Sequence, residues 1–446
     1  MWTLVTTALA LLSPRVPMVT NRRATTPVAV DAPRDEQWPS DLTSHVVRGI
    51  RLAVAEARAT GGLRASVTAS ARIAKLVVNE LFLFPATMVP FAVRTARYRR
   101  ANVEYVESPQ LEVYSAADAK ARQEGPLVLY VHGGSWGQGA PWQYALLARR
   151  LLDEGGAGRV AVARYRLFPE GDVDDMLDDV RPALEWCRTQ QAEAAARAPE
   201  EPPLRVVLAA QSAGAHLCAL HLTRGCMGGA DAWRPDKFVA LSGVFDIAAH
   251  FAHERTRLVH WLSPMWLAML GRGVHAGGEH AFAPLRGATD PQVRAADTSR
   301  ASLEDAAAAS AAPGGASDWR ENELMAWAAA SPTRLLRLRS VLAADAVAAP
   351  VAAAGGPPTR DAIERAPGAW PPTVVLHAAD DKTVPVQSAR DFVAALEATG
   401  ASPHVDYREF ARAGHGEIML ALMAPTGADA LPAIASQFVQ EVGKRA

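Results

Sequence analysis

The chain has 446 residues, 49% of them hydrophobic, with 46 Lys and Arg against 47 Asp and Glu for a formal net charge of −1. Such a length is ample for a large core, and the near-neutral balance argues against a nucleic-acid binder, which carries a basic excess or patch. Only three cysteines occur, Cys187, Cys218 and Cys226. An odd number without metal-ligand spacing makes a poor disulfide framework, so reduced thiols in an intracellular setting are expected, with Cys187 and Cys218 packing on helices.

Residues 1–100 read apart from the rest, as an N-terminal targeting or membrane-associated helical region. Trp2–Leu12 is apolar but too short to span a bilayer, and it lacks the basic flank of a secretory signal. Leu76–Val93 is almost wholly apolar yet holds Asn79, Glu80, Pro85 and Pro90, between Arg72/Lys75 and Arg94/Arg97/Arg99/Arg100. Two readings are open. One is a helix packed on the body as part of a cap; the other is membrane association through residues 76–93, held by the basic ends.

Residues 101–446 form the second unit. Val103–Val106 and Leu111–Tyr114 suggest an opening antiparallel hairpin. Strand and helix signals then alternate: strand Leu127–Val131, helix Gln143–Asp153, strand Val160–Tyr165, helix Asp174–Ala194, strand Val206–Ala209 and helix Ala213–Arg224. Strands Phe238–Ser242, Thr373–His377 and Val405–Phe410 follow, with helices at Val386–Gly400 and near Leu431–Lys444. Buried apolar strands alternating with amphipathic helices predict an α/β fold, a mostly parallel sheet covered on both faces, with its site at the carboxyl ends of the strands. Ala-, Pro- and Gly-rich stretches at about 298–318 and 342–368 read as insertions. The apolar, Trp-bearing stretch at about 247–285, with Phe251, Trp261 and Trp266, occupies the place of a helical lid.

Four motifs carry the chemistry. Strand Val206–Ala209 runs into Ala210-Gln-Ser212-Ala213-Gly214 and a helix, the pattern of a strained turn that lifts a serine hydroxyl out of a sheet. The Ala213 amide then sits at a helix N-terminus, where it can face an oxyanion. Ala210 stands where glycine is usual and predicts a slightly tighter turn. Upstream, Leu127–Val131 ends in His132-Gly133-Gly134-Ser135-Trp136, a loop whose glycine amides supply the other half of an oxyanion hole. Downstream, Thr373–His377 leads to Asp380-Asp381, either of which would serve as the acid, with Asp381 favoured by its spacing to Val384-Pro385. After the last strand comes Ala413-Gly-His415-Gly416, a histidine on a loop. Ser, then Asp, then His is the chain order of the α/β-hydrolase arrangement.

At these residues the chain resembles the isoprenylcysteine α-carbonyl methylesterases, members of the hormone-sensitive-lipase-like carboxylesterases. The likeness rests on His132-Gly-Gly-Ser-Trp136, Tyr165-Arg166-Leu-Phe168-Pro169, Gln211-Ser-Ala-Gly-Ala-His216 and Leu241-Ser-Gly-Val-Phe-Asp246, over roughly 103–442. His377-Ala378 stands where that family shows His-Gly. The resemblance implies an α/β-hydrolase fold with a lid and an N-terminal helical extension. It implies a Ser212–His415–Asp381 relay with an oxyanion hole of Gly133, Gly134 and Ala213, and no metal or organic cofactor. It points to a lipophilic carboxylic ester as substrate, with a prenylcysteine methyl ester as the narrow case and Trp136 beside the substrate. It also suggests an endoplasmic reticulum or Golgi membrane, otherwise the cytoplasm. An arylformamidase shares the same motifs, and a non-catalytic ligand-binding protein on this fold is a third reading. Arg166 and Asp179 are expected to pair as a support.

Overall fold

A computed structural model describes residues 39–54, 84–103, 111–118, 124–227, 233–257, 259–271, 327–337, 370–400, 402–424 and 431–444, with isolated positions between 57 and 71. The expected insertions at 298–318 and 342–368 lie outside the described residues, as do 1–38, 76–83 and the lid stretch beyond 271.

Seven strands form one sheet: β1 (Leu111–Ser115), β2 (Leu127–Val131), β3 (Arg159–Ala163), β4 (Val206–Gln211), β5 (Lys237–Leu241), β6 (Thr373–Ala378) and β7 (Val405–Phe410). Their order is β1-β3-β2-β4-β5-β6-β7. Every neighbouring pair is parallel except β1 with β3. The helices are α1 (Phe84–Asn102), α2 (Ala145–Asp153), α3 (Val173–Arg197), α4 (Ala213–Met227), α5 (Ile247–Thr256), α6 (Met265–Leu270), α7 (Gln387–Thr399), α8 (His415–Leu422) and α9 (Ala433–Gly443). Another helix occupies 42–54.

The central strands are apolar along their whole length because both faces are covered. Along β2, Leu127, Leu129 and Val131 enter one layer with Val180 of α3, Leu217 of α4 and Phe392 of α7. Val128 and Tyr130 enter the other, with Leu151 of α2 and Phe438 of α9. This is the period-two alternation of a strand feeding two cores. The register pairs Val131 with Ala210 and Gln211 with Leu241. The carboxyl ends of β2, β4 and β5 therefore finish level, at one rim.

Leu111–Ser115 pairs antiparallel with β3, Leu111 opposite Ala163, and the other expected hairpin arm, Val103–Val106, falls outside the described residues after Val103. One expectation needs correction. His415 is not on a free loop but is the first residue of α8, because the Glu417 carboxylate accepts the Gly414 N–H and starts a helix there.

The N-terminal helices lie on the body. Arg99 of α1 makes two bonds of 2.8 and 2.7 Å to buried Glu112, which also accepts from Tyr114, and Arg149 lies over the Tyr98 ring. On the helix at 42–54, His45 bonds the Ser263 carbonyl at 3.0 Å and sets its edge against Phe168. Gly49 lies so close that a Cβ there would fall 2.1 Å from the Trp261 carbonyl oxygen. Among the described residues no helix is long and apolar enough to cross a membrane.

Candidate active site

Ser212 stands between β4 and α4 with φ of 53°, the left-handed region that a serine enters only when its surroundings hold it there. Its N–H bonds the Leu241 carbonyl and its carbonyl accepts from His216, so the elbow is tied to β5 and to its own helix. A Cβ on Gly214 would lie 2.1 Å from the Val131 carbonyl oxygen and 2.5 Å from that of His132. Only glycine lets α4 start against the end of β2. Ala210 is fully buried within β4, and the turn forms with its methyl in place.

Ser212 Oγ is 2.9 Å from Nε2 of His415, and Nδ1 of that ring is 2.6 Å from Asp381 Oδ2. Asp381 Oδ1 accepts the Thr383 and Val384 amides at 2.9 and 3.0 Å. Burial works to raise the pKa of Asp381, but the bond from His415 and the Val384 amide outweigh it, and the carboxyl stays below its ordinary value. An ionised Asp381 fixes the Nδ1–H tautomer and leaves Nε2 as an acceptor for the serine proton. Asp380 is engaged elsewhere, accepting the Ala413 N–H at 2.8 Å and so pinning the segment that precedes His415. Of the two aspartates, only Asp381 meets the ring.

The loop after β2 is fixed through its carbonyls. Tyr165 donates to the His132 carbonyl at 2.9 Å. The Gly133 carbonyl accepts from His132 Nδ1 at 2.8 Å and from Tyr144 at 3.3 Å. In a trans peptide the C=O and the following N–H point opposite ways. Holding these two oxygens therefore aims the Gly133 and Gly134 amides away from the tyrosines. Among the described residues nothing accepts from the N–H of Gly133, Gly134 or Ala213. The His132 ring is sandwiched between Tyr165 and Tyr144, and burial lowers its pKa to about 4, so it is a neutral strut. Gly134, Ser135 and Trp136 all have positive φ, coiling the loop so that Gln138 bonds back to Gly134.

Trp136 is buried, 1% exposed, and its indole N–H donates to Nδ1 of His216 at 3.2 Å. His216 in turn gives its Nε2 proton to the Ala330 carbonyl at 2.7 Å, and burial lowers its pKa to about 4. Trp136 thus ties the glycine loop to α4, and His216 ties α4 to the 327–337 segment. That segment is further held by Trp327, which donates to the Trp266 carbonyl, and by Ser331, which accepts the Ile247 amide. With α5, α6 and the helix at 42–54 it makes the cover over this end of the sheet, and Phe251, Trp261, Trp266 and Trp327 pack on one another there. The Arg166 guanidinium donates to both carboxylate oxygens of Asp179 and to the carboxylate and carbonyl of Asp175, as expected of a support.

Sequence reasoning passed over three contributors. Tyr144 and Tyr165 orient the glycine loop; Tyr165 belongs to the Tyr165-Arg166-Leu-Phe168-Pro169 motif, but nothing in the sequence shows which carbonyl its hydroxyl meets. Gln211 places its side-chain nitrogen 3.1 Å from Nε2 of His415, and only the folded elbow shows that contact.

Sheet order, elbow and the Ser–His–Asp contacts define the α/β-hydrolase class, and the chain has that fold. A family profile described as alpha/beta hydrolase fold matches residues 128–307. The chain is similar to a probable isoprenylcysteine alpha-carbonyl methylesterase of Oryza sativa subsp. japonica, with 31% identity over 198 residues, 41% of this chain and 45% of that one. It is also similar to an acetyl-hydrolase of Streptomyces hygroscopicus, 34% identical over 137 residues, 31% of this chain and 42% of that one. A kynurenine formamidase of Danio rerio is 30% identical over 117 residues, 26% of this chain and 36% of that one. The chain therefore spans less than half the length of these relatives. The Oryza sativa relative carries the methylesterase name that the sequence motifs resemble, and the other two carry different ones.

Proposed function

We propose that this chain is a serine carboxylesterase in which Ser212 attacks an ester carbonyl. The observation that carries the reading is the continuous relay from Ser212 Oγ through His415 to Asp381, at 2.9 and 2.6 Å. His415 takes the hydroxyl proton at Nε2 as the new C–O bond forms, then delivers it to the departing alcohol. Asp381 stabilises the imidazolium. The amides of Gly133, Gly134 and Ala213 hold the oxyanion, a contribution of about 3 kcal/mol for each donor. Water, activated by the same histidine, releases the acid and restores Ser212.

A lipophilic ester is the substrate class, and a prenylcysteine methyl ester is the narrow form of the proposal, supported by the plant relative and by the apolar cover. A second reading, hydrolysis of an arylformamide, is supported by the formamidase relative. A fluorophosphonate probe tests the class: it should label the wild type and not Ser212→Ala. Labelling of both, or of neither, rejects the serine mechanism. Turnover of farnesylcysteine methyl ester, short p-nitrophenyl esters and N-formylkynurenine then ranks the substrates. Hydrolysis of the short esters with none of the prenylated one would remove the narrow assignment and leave the class.

A further inference from the structure

Gln211 is the last residue of β4 and only 4% exposed, and its side chain bridges the two halves of the site. Its Nε2 lies 3.1 Å from Nε2 of His415, the same nitrogen that Ser212 Oγ meets at 2.9 Å. His415 gives its Nδ1 proton to Asp381, so the neutral ring offers one lone pair at Nε2 and no hydrogen. Whatever faces that lone pair must be a donor, which orients the Gln211 amide: N–H towards the base, Oε1 towards Gly133. A Cβ on Gly133 would lie 2.3 Å from Oε1, so glycine at this point leaves the room that the amide oxygen occupies.

We propose that Gln211 is a positioning residue that holds the unprotonated base by donating to its Nε2, sharing the lone pair with the Ser212 hydroxyl until the proton moves. The proposal rests on the reading above, in which His415 is the base. One lone pair cannot accept two linear hydrogen bonds at full strength, so the amide competes with the serine while it fixes the ring. Once Nε2 carries a proton, the amide N–H faces another N–H and the contact turns repulsive. A neutral donor at this point therefore favours the uncharged ring. A carboxylate there would favour the charged one, as an opposite charge within hydrogen-bond reach does.

The test compares the full chain with Gln211→Glu and Gln211→Met. Two readouts are followed: the pH dependence of kcat/KM on a short p-nitrophenyl ester, and the imidazole ¹⁵N titration of His415, assigned by its loss in His415→Gln. In Gln211→Glu the acid limb and the ¹⁵N midpoint should both move up by about one pH unit or more. In Gln211→Met they should move the same way by less, with kcat lowered more than KM is raised. If both midpoints stay at the wild-type value in both variants, whatever the change in melting temperature, Gln211 only packs and the proposal is overturned. An inactive wild type with a ¹⁵N midpoint that still moves would count against the esterase reading and for the hydrogen bond.

Discussion

Asp381→Asn tests the relay with the least disturbance. Asparagine keeps an oxygen where Oδ1 now accepts the Thr383 and Val384 amides at 2.9 and 3.0 Å, so the turn after β6 should persist. The other atom becomes an NH₂ facing His415 Nδ1 across the present 2.6 Å contact. Two donors cannot face each other there, so the ring must accept at Nδ1 and carry its hydrogen on Nε2. That hydrogen then points at Ser212 Oγ and at the Gln211 amide, which both need an acceptor. A wrong tautomer costs about 10⁴ in kcat, about 5.4 kcal/mol of barrier. The assay is kcat/KM on a short p-nitrophenyl ester, with melting temperature as the control. Asp380→Asn retains an acceptor for the Ala413 amide and should lose less than about tenfold, a range set by the cost of a weakened neutral bond. Asp381→Asn above about a tenth of wild-type activity, or Asp380→Asn falling as far, would refute the assignment.

Gly133→Ala sets a Cβ 2.9 Å from the Gln211 carbonyl oxygen and 3.0 Å from Ser212 Cβ, and the backbone atom cannot swing aside. Kinetics should show a loss of about 10²–10³ in kcat, and thermal melts a loss of about 1–3 kcal/mol. Asp246 caps α5 and pairs with buried Arg334 at 2.9 Å, so Asp246→Ala removes the cap and breaks a buried ion pair. Denaturant titration should find it destabilised by about 3–5 kcal/mol. Burial lowers the pKa of His132, His216 and His221 to about 4 each. Unfolding frees them to bind protons near their ordinary value of about 6.5. Stability is thus whole above about pH 6.5 and falls towards pH 4, by about 1.4 kcal/mol per pH unit for each ring. His221→Leu should remove one such share from the slope measured by denaturant titration at several pH values.

The central strands, and the motifs that hold Ser212, Asp381 and His415, were legible because each is written locally. Apolar runs bounded by helical stretches give β2, β4, β5 and β6, and the strand-turn-helix around Ser212 is read from small neighbours alone. β2 and β7 run over the residues expected, while the other elements shift by a few residues at their ends. What stayed hidden depends on contacts between distant segments. No pattern along the chain shows that β1 pairs with β3, that Tyr144 and Tyr165 grip the glycine loop, or that Gln211 meets a ring on α8. The helix at 42–54 falls within the helical region expected over 1–100, but its docking did not show, since His45 and Gly49 gain meaning only against Ser263 and Trp261. The choice between Asp380 and Asp381 turned on which carboxylate faces inward at one turn, something spacing indicates and only coordinates display.

Ser135, Trp136, Ser212 and Ser242 hold left-handed backbones although none is glycine, and they follow β2, β4 and β5 at the same rim. At about 1–3 kcal/mol each, such conformations concentrate stored energy where a ligand would arrive. Ser242 stands out from the other three, because its hydroxyl is buried and no described residue bonds it. Glycine would shed both burdens there and leave the reacting groups untouched. Heat resistance could therefore be bred into this scaffold from its working end, a region usually closed to such engineering.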